Sequence, residues 1–213
     1  MIKSFHNNFL AELFLEDKNY NANKQFYLKI QIRLDALEKA LCPKDMNFPN
    51  FNFQTFPETP DHYSVHIFGK WAMTFEWKDH HAWGVNAEKE EKVDEQNQED
   101  SKMNPEEYLV TEATKRTPTH PGVLFKEEIL PKFKLSVTDA AQKLRISRQM
   151  LHKILNASHP ITPTMALRFG RFCNNDPAMW LRMQQAYDLK IAEKEMEEEL
   201  KKISVHKEEH KSC

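Results

Sequence analysis

A short polar stretch in the C-terminal half carries side chains that can recognise nucleic-acid bases. It follows Ser147 and reads RQMLHK. An arginine can donate two hydrogen bonds to guanine, and a glutamine can pair in the same bidentate way with adenine. The residue types and their spacing therefore predict a helix that reads the major groove of DNA. If the stretch is helical, its outward face carries four polar residues: Arg148, Gln149, His152 and Lys153.

Two short helices would position these side chains. The surrounding segment reads SVTDAAQKLRISRQMLHKIL, in which Ser136 can cap a first helix that ends near Leu144. A turn at Arg145 and Ile146 then leads to a second helix, which Ser147 begins. This spacing is typical of a helix-turn-helix. The side chains that it turns inward are apolar: Val137, Ala140, Ala141, Leu144, Ile146, Leu151, Ile154 and Leu155.

Positive charge is concentrated around this segment. The whole chain has a net charge of −2, but residues 115–182 hold twelve Lys and Arg against four Asp and Glu. Phosphate contacts supply much of the affinity for DNA, so this excess favours nucleic-acid binding. The alternative is a helical bundle whose polar face is only solvated. Helix N-termini, hydroxyls and cations bind phosphates, and we predict further DNA contacts at Ser136, Thr138, Lys143, Arg145 and Ser147.

More capping signals extend the helical pattern along residues 117–189. Thr162 and Asp176 each stand before a proline at the first helical position. With these caps the pattern gives five helices in about seventy residues, which predicts a compact all-α domain. The last helix can run on into a charged helical tail, residues 190–213. Apolar residues recur there at heptad-like spacing and offer a dimer contact: Leu189, Ala192, Met196 and Ile203.

Residues 1–87 show two kinds of periodicity. Apolar residues at helical spacing, in two stretches up to Leu41, predict two helices. After Pro49 the period changes to two, which predicts strands with hairpin turns at Gly69 and Lys70 and again at residues 79–81. Two helices followed by an antiparallel sheet predict an α+β domain.

An acidic stretch separates the two patterns. Residues 88–107 hold nine acidic residues and three lysines, and almost no large apolar side chain. Such a segment buries too little surface to offset the entropy that ordering would cost. We therefore predict two domains joined by a solvated linker over residues 88–116, with a short helix near residues 106–113.

The C-terminal helices begin and end on recognisable motifs: HPG at residues 120–122, SVT and SRQ at the starts of the second and third helices, ITPTMALR at the entry to the fourth, and W-x-x-x-Q-x-A-Y-D-L at residues 180–189. Over about residues 117–189 they resemble the HigA-type antitoxins of the Xre helix-turn-helix family. The resemblance implies a five-helix, λ-repressor-like domain that dimerises on a palindromic operator and binds a partner toxin. Arg145 departs from the glycine usual in this turn, so it must adopt a left-handed conformation or reshape the turn.

The N-terminal half has motifs of its own. They are MIKSF at the start, LDALEKA at residues 34–40, KDMNFPNF at residues 44–51, YSVHIFGKWAMTFEW at residues 63–77 and AWGVNAE at residues 82–88. They resemble HigB-type toxins of the RelE/ParE superfamily, which cut messenger RNA on the ribosome without metal. The resemblance implies a toxin fused to its own antitoxin.

This half departs from the toxin pattern where the chemistry would lie. Gln54, Pro57 and Ala72 stand where the family carries a histidine, a lysine and an arginine, and His66 replaces a strand arginine. The half contains nine basic and ten acidic residues, so it lacks the positive field that ribosome binding requires. We predict an inactive toxin domain that folds without cleaving RNA, with His62 and His66 as vestigial acid/base candidates.

Three hypotheses for the function follow. The first is a DNA-binding antitoxin that represses its own operon and keeps the degenerate toxin domain as a scaffold. The second is an enzyme, an active ribosome-dependent messenger-RNA endonuclease restrained in cis by the fused antitoxin. In the third, the antitoxin half neutralises a separately encoded toxin.

The composition argues against several other classes. No apolar run is long enough for a membrane span and the start lacks a secretory signal, so we expect a cytoplasmic protein. His206 and His210 are spaced i, i+4 but lack a third ligand at fixed spacing, and no metal or cofactor is predicted. The cysteines lack the spacing of a zinc site, and we predict reduced thiols at Cys42, Cys173 and Cys213.

Overall fold

The structure is a computed structural model that describes residues 1–16, 23–89 and 108–205. An α+β part comes first: β1 (Ser4–Phe5), α1 (Asn8–Leu15), α2 (Lys24–Lys39), a 3-10 turn (Pro43–Met46), β2 (Gln54–Thr55), β3 (His62–Phe68), β4 (Trp71–Lys78), β5 (His81–Lys89) and β6 (Tyr108–Leu109). A helical part follows: α3 (Pro121–Leu124), a π-helical segment (Phe125–Ile129), α4 (Leu130–Phe133), α5 (Val137–Leu144), α6 (Arg148–Leu155), α7 (Pro163–Cys173), α8 (Pro177–Glu195) and α9 (Glu197–Leu200). The likeness of the first part to RelE-type toxins stays a prediction.

The described strands form one sheet in the order β2-β3-β4-β5-β1-β6. The predicted strands β3, β4 and β5 are antiparallel, but the sheet as a whole is mixed, because β1, which the sequence does not predict, lies parallel to β5, with Phe5 beside Val85. The helices α1 and α2 separate β1 from the hairpins in the chain, so no tight turn dictates its direction. The alternation along β3 and β4 is confirmed by the side chains that it buries: Val65, Ile67, Met73 and Phe75.

Both predicted hairpin turns are confirmed. Gly69 and Lys70 join β3 to β4, and Gly69 has a φ of 60°. Asp79 and His80 join β4 to β5 with φ values of 51° and 63°. Two successive positive φ values are typical of a type I′ turn, whose twist matches that of the flanking strands.

The predicted linker is wrong at both ends. β5 continues to Lys89, and Tyr108–Leu109 form β6 along β1 where a short helix is predicted. The exposed edge of β1 offers unpaired backbone groups, and pairing with them outweighs the local helical preference. Arg116, at the end of the predicted linker, is buried with Asp35. Residues 90–107 lie outside the described part.

The helical part begins with one continuous helical run. α3, the π-helical segment and α4 follow each other without a break, and the π-helical turn is not predicted by the sequence. α8 extends past residue 189 to Glu195, but the predicted helical tail is present only in part, because residues 201–205 are not helical. A bend at Met196 separates it from α9, and residues 206–213 lie outside the described part.

A buried ionic cluster joins the two parts of the chain. Glu128, in the π-helical segment, lies 3.0 Å from Lys29 Nζ and 2.9 Å from Arg33 Nη1 on α2, and Asn50 donates to the same carboxylate. Arg33 also donates to the carbonyls of Lys29 and His66. Burial alone would raise the pKa of Glu128, but the Arg33 guanidinium and these hydrogen bonds keep it below its usual value. The hydrogen bonds compensate for the desolvation of these three charges.

Further contacts between the parts surround this cluster. Asp35 accepts hydrogen bonds from Arg116 and from the backbone N–H of Thr119. Arg182 on α8 lies 2.7 Å from the Asp45 carboxylate. The buried apolar side chains of both parts form one cluster, so the two predicted domains share a core.

Candidate nucleic-acid interface

The predicted helix-turn-helix is present at the predicted boundaries. α5 ends at Leu144 and α6 begins at Arg148. The Ser136 hydroxyl accepts a hydrogen bond from Asp139 N–H at 3.2 Å, and the Ser147 hydroxyl accepts one from Met150 N–H at 3.1 Å. Each hydroxyl satisfies an N–H group that the first turn of a helix leaves without a partner.

The turn between α5 and α6 is held from two sides. Arg145 takes the left-handed conformation, with a φ of 55°, and its N–H caps α5 by bonding to the carbonyls of Ala141 and Gln142. Arg168 on α7 donates to the Leu144 carbonyl at 2.7 Å and to the Arg145 carbonyl at 3.1 Å. A cation at the C-terminus of a helix interacts favourably with its dipole. Arg168 therefore fixes the turn, a role that the sequence pattern does not reveal.

The side chains of this unit divide as predicted into a buried and an exposed set. Ala140, Ala141, Leu144, Leu151, Ile154 and Leu155 are buried, while Val137 and Ile146 pack against them at partial exposure. All nine residues predicted to contact DNA are exposed: Ser136, Thr138, Lys143, Arg145, Ser147, Arg148, Gln149, His152 and Lys153.

The Ser136 hydroxyl has a second partner, since it also donates to the Asp139 carboxylate at 2.6 Å. Its proton is therefore already engaged, and the nearby negative charge disfavours a phosphate. The Ser147 hydroxyl has no described acceptor, so its proton can be donated. Of the two capping serines, Ser136 therefore has its hydroxyl proton engaged by Asp139, whereas Ser147 does not.

The HPG motif ties the first C-terminal helix to α6. His120 Nδ1 accepts a hydrogen bond from Gly122 N–H at 3.0 Å and caps α3. Burial lowers the pKa of His120 to about 4, although Asp188 opposes the shift. Gly122 lies so close to α6 that a Cβ atom there would stand 2.0 Å from the Ile154 carbonyl oxygen. His120 and Gly122 position α3 against α6 although neither is an exposed polar residue, so the sequence pattern of exposed polar residues does not reveal their roles.

The two vestigial histidines of the N-terminal half do not form a pair. His62 lies 2.9 Å from Glu76, and His66 Nε2 lies 3.0 Å from the Gly69 carbonyl oxygen. Four residues along a strand separate them by about 13 Å. Glu76 is further paired with Lys78, which lowers the pKa of its carboxyl.

The residues that depart from the toxin pattern differ in their exposure. Gln54 and Pro57 are exposed near the edge of the sheet, whereas Ala72 is buried opposite His66. Neither a glutamine, a proline nor an alanine can supply the positive charge that stabilises a phosphorane.

Metal and thiol chemistry finds little support in the described residues. Residues 1–16, 23–89 and 108–205 contain no group of three or more potential metal ligands. Cys42 is an exposed free thiol, and burial raises the pKa of the Cys173 thiol. Cys213 and the pair His206 and His210 lie outside the described residues. In that same part, every helix is too short or too polar to cross a bilayer.

The capped helix-turn-helix, set in a basic unit of five helices, places the protein in the class of helix-turn-helix proteins. No family model matches the chain. It is 40% identical over 76 residues to virulence-associated protein I of Dichelobacter nodosus, covering 36% of this chain and 70% of that protein. It is 35% identical over 74 residues to an HTH-type transcriptional regulator of Haemophilus influenzae, covering 35% of this chain and 69% of that regulator. Over these residues the chain belongs to the helix-turn-helix transcriptional regulators.

A solved structure gives a further similarity. It is an addiction module antidote protein of the HigA family from Coxiella burnetii, 34% identical, covering 43% of this chain and 100% of that one at a TM-score of 0.41.

Proposed function

We propose that the protein is a HigA-type antitoxin that represses its own operon by binding the operator through α6. The observation that carries the proposal is the exposed polar face of α6, whose opposite, apolar face packs against α3 and α5. Arg148 and Gln149 stand in its first turn, where an arginine and a glutamine can bind guanine and adenine edges. The relative named as a transcriptional regulator and the motifs of residues 117–189 support it.

The backbone of the operator would be held by groups around this face. Ser147 caps the N-terminus of α6 and directly precedes Arg148, and Lys143, Arg145 and Lys153 are exposed cations of the same helix-turn-helix. Helix N-termini and cations are the usual ligands of phosphates. Such a regulator acts where the DNA is, which fits the expected cytoplasmic location.

We further propose that the protein binds DNA as a homodimer. Leu189, Met196 and Ile203 are exposed at the end of α8 and beyond it, and Leu189 and Ile203 expose more than 60% of their surface. Apolar side chains so exposed along one C-terminal segment favour contact with a second copy. A dimer would place two copies of α6 in half-sites about one helical turn apart.

The N-terminal part fits a degenerate toxin domain that serves as a scaffold. Its two helices and its sheet agree with the resemblance to HigB-type toxins, while the dispersed histidines and the paired Glu76 do not favour cleavage of RNA. An active endonuclease restrained in cis is therefore the weaker hypothesis. In the third hypothesis, a separately encoded toxin would have to bind the helical part on a surface that α2 does not cover.

A footprint of the full-length chain on the DNA upstream of its own gene tests the proposal. We expect a protected segment with two half-sites, and no protection of an unrelated fragment of equal length. Absence of any protected segment would contradict the proposed function. A complex of one chain per operator at every protein concentration would contradict the dimer alone.

A further inference from the structure

A basic cleft lies between the C-terminus of α5 and the outer side of α7. It has a volume of about 340 Å³, and its cationic residues are Lys143, Arg145, Arg168 and Arg171. Leu167 and Phe172 supply apolar contacts. Lys143 and Arg145 are predicted phosphate ligands, whereas nothing in the sequence pattern marks Arg168 or Arg171.

The charge of this cleft is not balanced by nearby acids. None of the ion pairs within residues 1–16, 23–89 and 108–205 includes Lys143, Arg145 or Arg171, and all three are exposed. Several cations around one cleft create a strong local field that attracts anions. The cleft is therefore built for a negatively charged occupant.

One of the four cations is fixed in advance. Arg168 Nη1 is held by the carbonyls of Leu144 and Arg145, so its guanidinium stays beside the turn. A guanidinium that is already ordered loses little entropy when an anion arrives. Arg171 lies three residues further along α7, on the same side, and its side chain is exposed.

The position of the cleft favours a DNA phosphate as the anion that it binds. Arg145 precedes Arg148 by three residues, so their Cα atoms are within about 11 Å of each other. An anion in the cleft therefore lies alongside the helix proposed to read bases. The cleft carries four cations but only one strongly exposed apolar side chain, Leu167. An acidic protein segment would also carry apolar side chains, which need a larger apolar surface to pack against, so the cleft fits a phosphodiester backbone better.

We propose that this cleft binds a backbone phosphate flanking the bases contacted by α6, with Arg171 as a further DNA ligand and Arg168 as a positioning residue. The proposal rests on the proposed DNA-binding function. It extends the contact surface from α5 and α6 to α7. It also accounts for the side chain at residue 145, because an arginine there adds a cation to the cleft that a glycine would lack.

The test compares Arg171→Ala with the unchanged full-length chain on two DNA fragments, the segment upstream of its own gene and an unrelated one, over a range of salt. A lost phosphate contact lowers the slope of log K against log salt by about 0.9. We expect Arg171→Ala to lose affinity by the same factor on both fragments. The ratio of the unchanged chain's affinity to that of the variant should fall about 3.5-fold between 50 and 200 mM salt. Arg171→Lys, which keeps the charge, should retain the slope.

Lys126→Ala is the matched control, because Lys126 is an exposed cation on the first C-terminal helical run, outside the cleft. It should leave the slope unchanged. If the unchanged chain binds and Arg171→Ala binds with the same affinity and slope, the cleft does not contact DNA and this inference is wrong, while the proposed function stands. If the unchanged chain shows no salt-dependent binding to either fragment, both are wrong.

Discussion

His120 controls the start of the C-terminal unit through its protonation state. Its Nδ1 atom can accept the hydrogen bond from Gly122 N–H only when the ring is neutral, and burial, which lowers its pKa to about 4, favours that form. Between pH 6.5 and 4 the folded chain therefore binds fewer protons at this site than the unfolded chain. The free energy of unfolding gains its full contribution from His120 above pH 6.5 and loses it as the pH falls towards 4.

His120→Asn separates the cap from the titration. Asparagine is a good N-cap but does not titrate, so the variant should keep the cap and lose this part of the pH dependence. We expect the difference in unfolding free energy between pH 7 and pH 4 to be smaller in the variant by up to about 3 kcal/mol. Urea unfolding of both proteins across this range measures it. Parallel pH profiles would show that His120 is not held neutral.

Gly122 permits the close approach of α3 to α6. A Cβ atom at residue 122 would collide with the Ile154 carbonyl, which is backbone and cannot move without shifting α6. We expect Gly122→Ala to destabilise the fold by about 3 kcal/mol and to weaken specific DNA binding. Gly69→Ala is the control, because residue 69 has open space and pays only the cost of its positive φ, about 1 kcal/mol. Equal melting temperatures for the two variants would contradict this account.

At the scale of elements, α2 is the bridge between the two parts. Its Arg33 is fully buried against Glu128, and its Lys29 contacts the same carboxylate. Removing one member of such a cluster leaves the remaining charges buried without compensation. The stability of the helical part therefore depends on the part that precedes it.

Glu128→Ala tests this dependence. We expect it to lower the unfolding free energy by about 3–5 kcal/mol, because Arg33 and Lys29 would stay buried without their partner. Glu193→Ala is the comparison, since Glu193 forms an ion pair with Lys190 on the surface of α8. Its removal should cost less than about 1 kcal/mol. A similar small cost for both, in denaturant unfolding, would mean that the buried cluster contributes little.

Elements whose signals are local could be predicted from the sequence. Ser136 and Ser147 mark the starts of α5 and α6 because the cap bonds span three residues, and the burial of Leu151 and Ile154 follows from helical spacing. The same holds for the turn at Gly69. The exposed set of predicted DNA ligands follows directly from these elements.

Features that depend on distant residues could not be predicted in this way. β6 forms because the edge of β1, about a hundred residues earlier, has open backbone groups. Arg33 has the sequence signature of a surface residue, and only the fold brings Glu128 to it across 95 positions. The cleft residues Arg168 and Arg171 also come from a separate helix. A local sequence pattern does not show which charged residues will be in contact in the folded protein.

At the scale of the whole molecule, the shared core changes how the N-terminal part should be tested. Residues 1–87 alone would lack β6, Glu128 and Arg116, and would leave Arg33 and Asp35 without their ion-pair partners. Whether that fragment folds by itself stays a prediction. The full-length chain is therefore the proper material for a test of RNA cleavage.

We expect the full-length chain to leave messenger RNA intact in a translating extract and to cause no growth arrest in cells. Metal-free cleavage needs acid/base groups and positive charge at one phosphate, but His62 and His66 are apart and each has another partner. His66→Ala should behave like the unchanged chain. Ribosome-dependent cleavage that His66→Ala abolishes would contradict this prediction and favour the endonuclease hypothesis.

We propose above that the exposed face of α6 reads a DNA sequence. The most direct test is the ratio of affinities for the protected operator fragment and an unrelated fragment, measured for the unchanged chain, Arg148→Ala and Gln149→Ala. Each substitution should weaken operator binding by about 1–3 kcal/mol and leave binding to the unrelated fragment nearly unchanged. Lys143→Ala, which removes a charge and not a base contact, should weaken both equally. An affinity ratio that neither Arg148→Ala nor Gln149→Ala alters would contradict the claim.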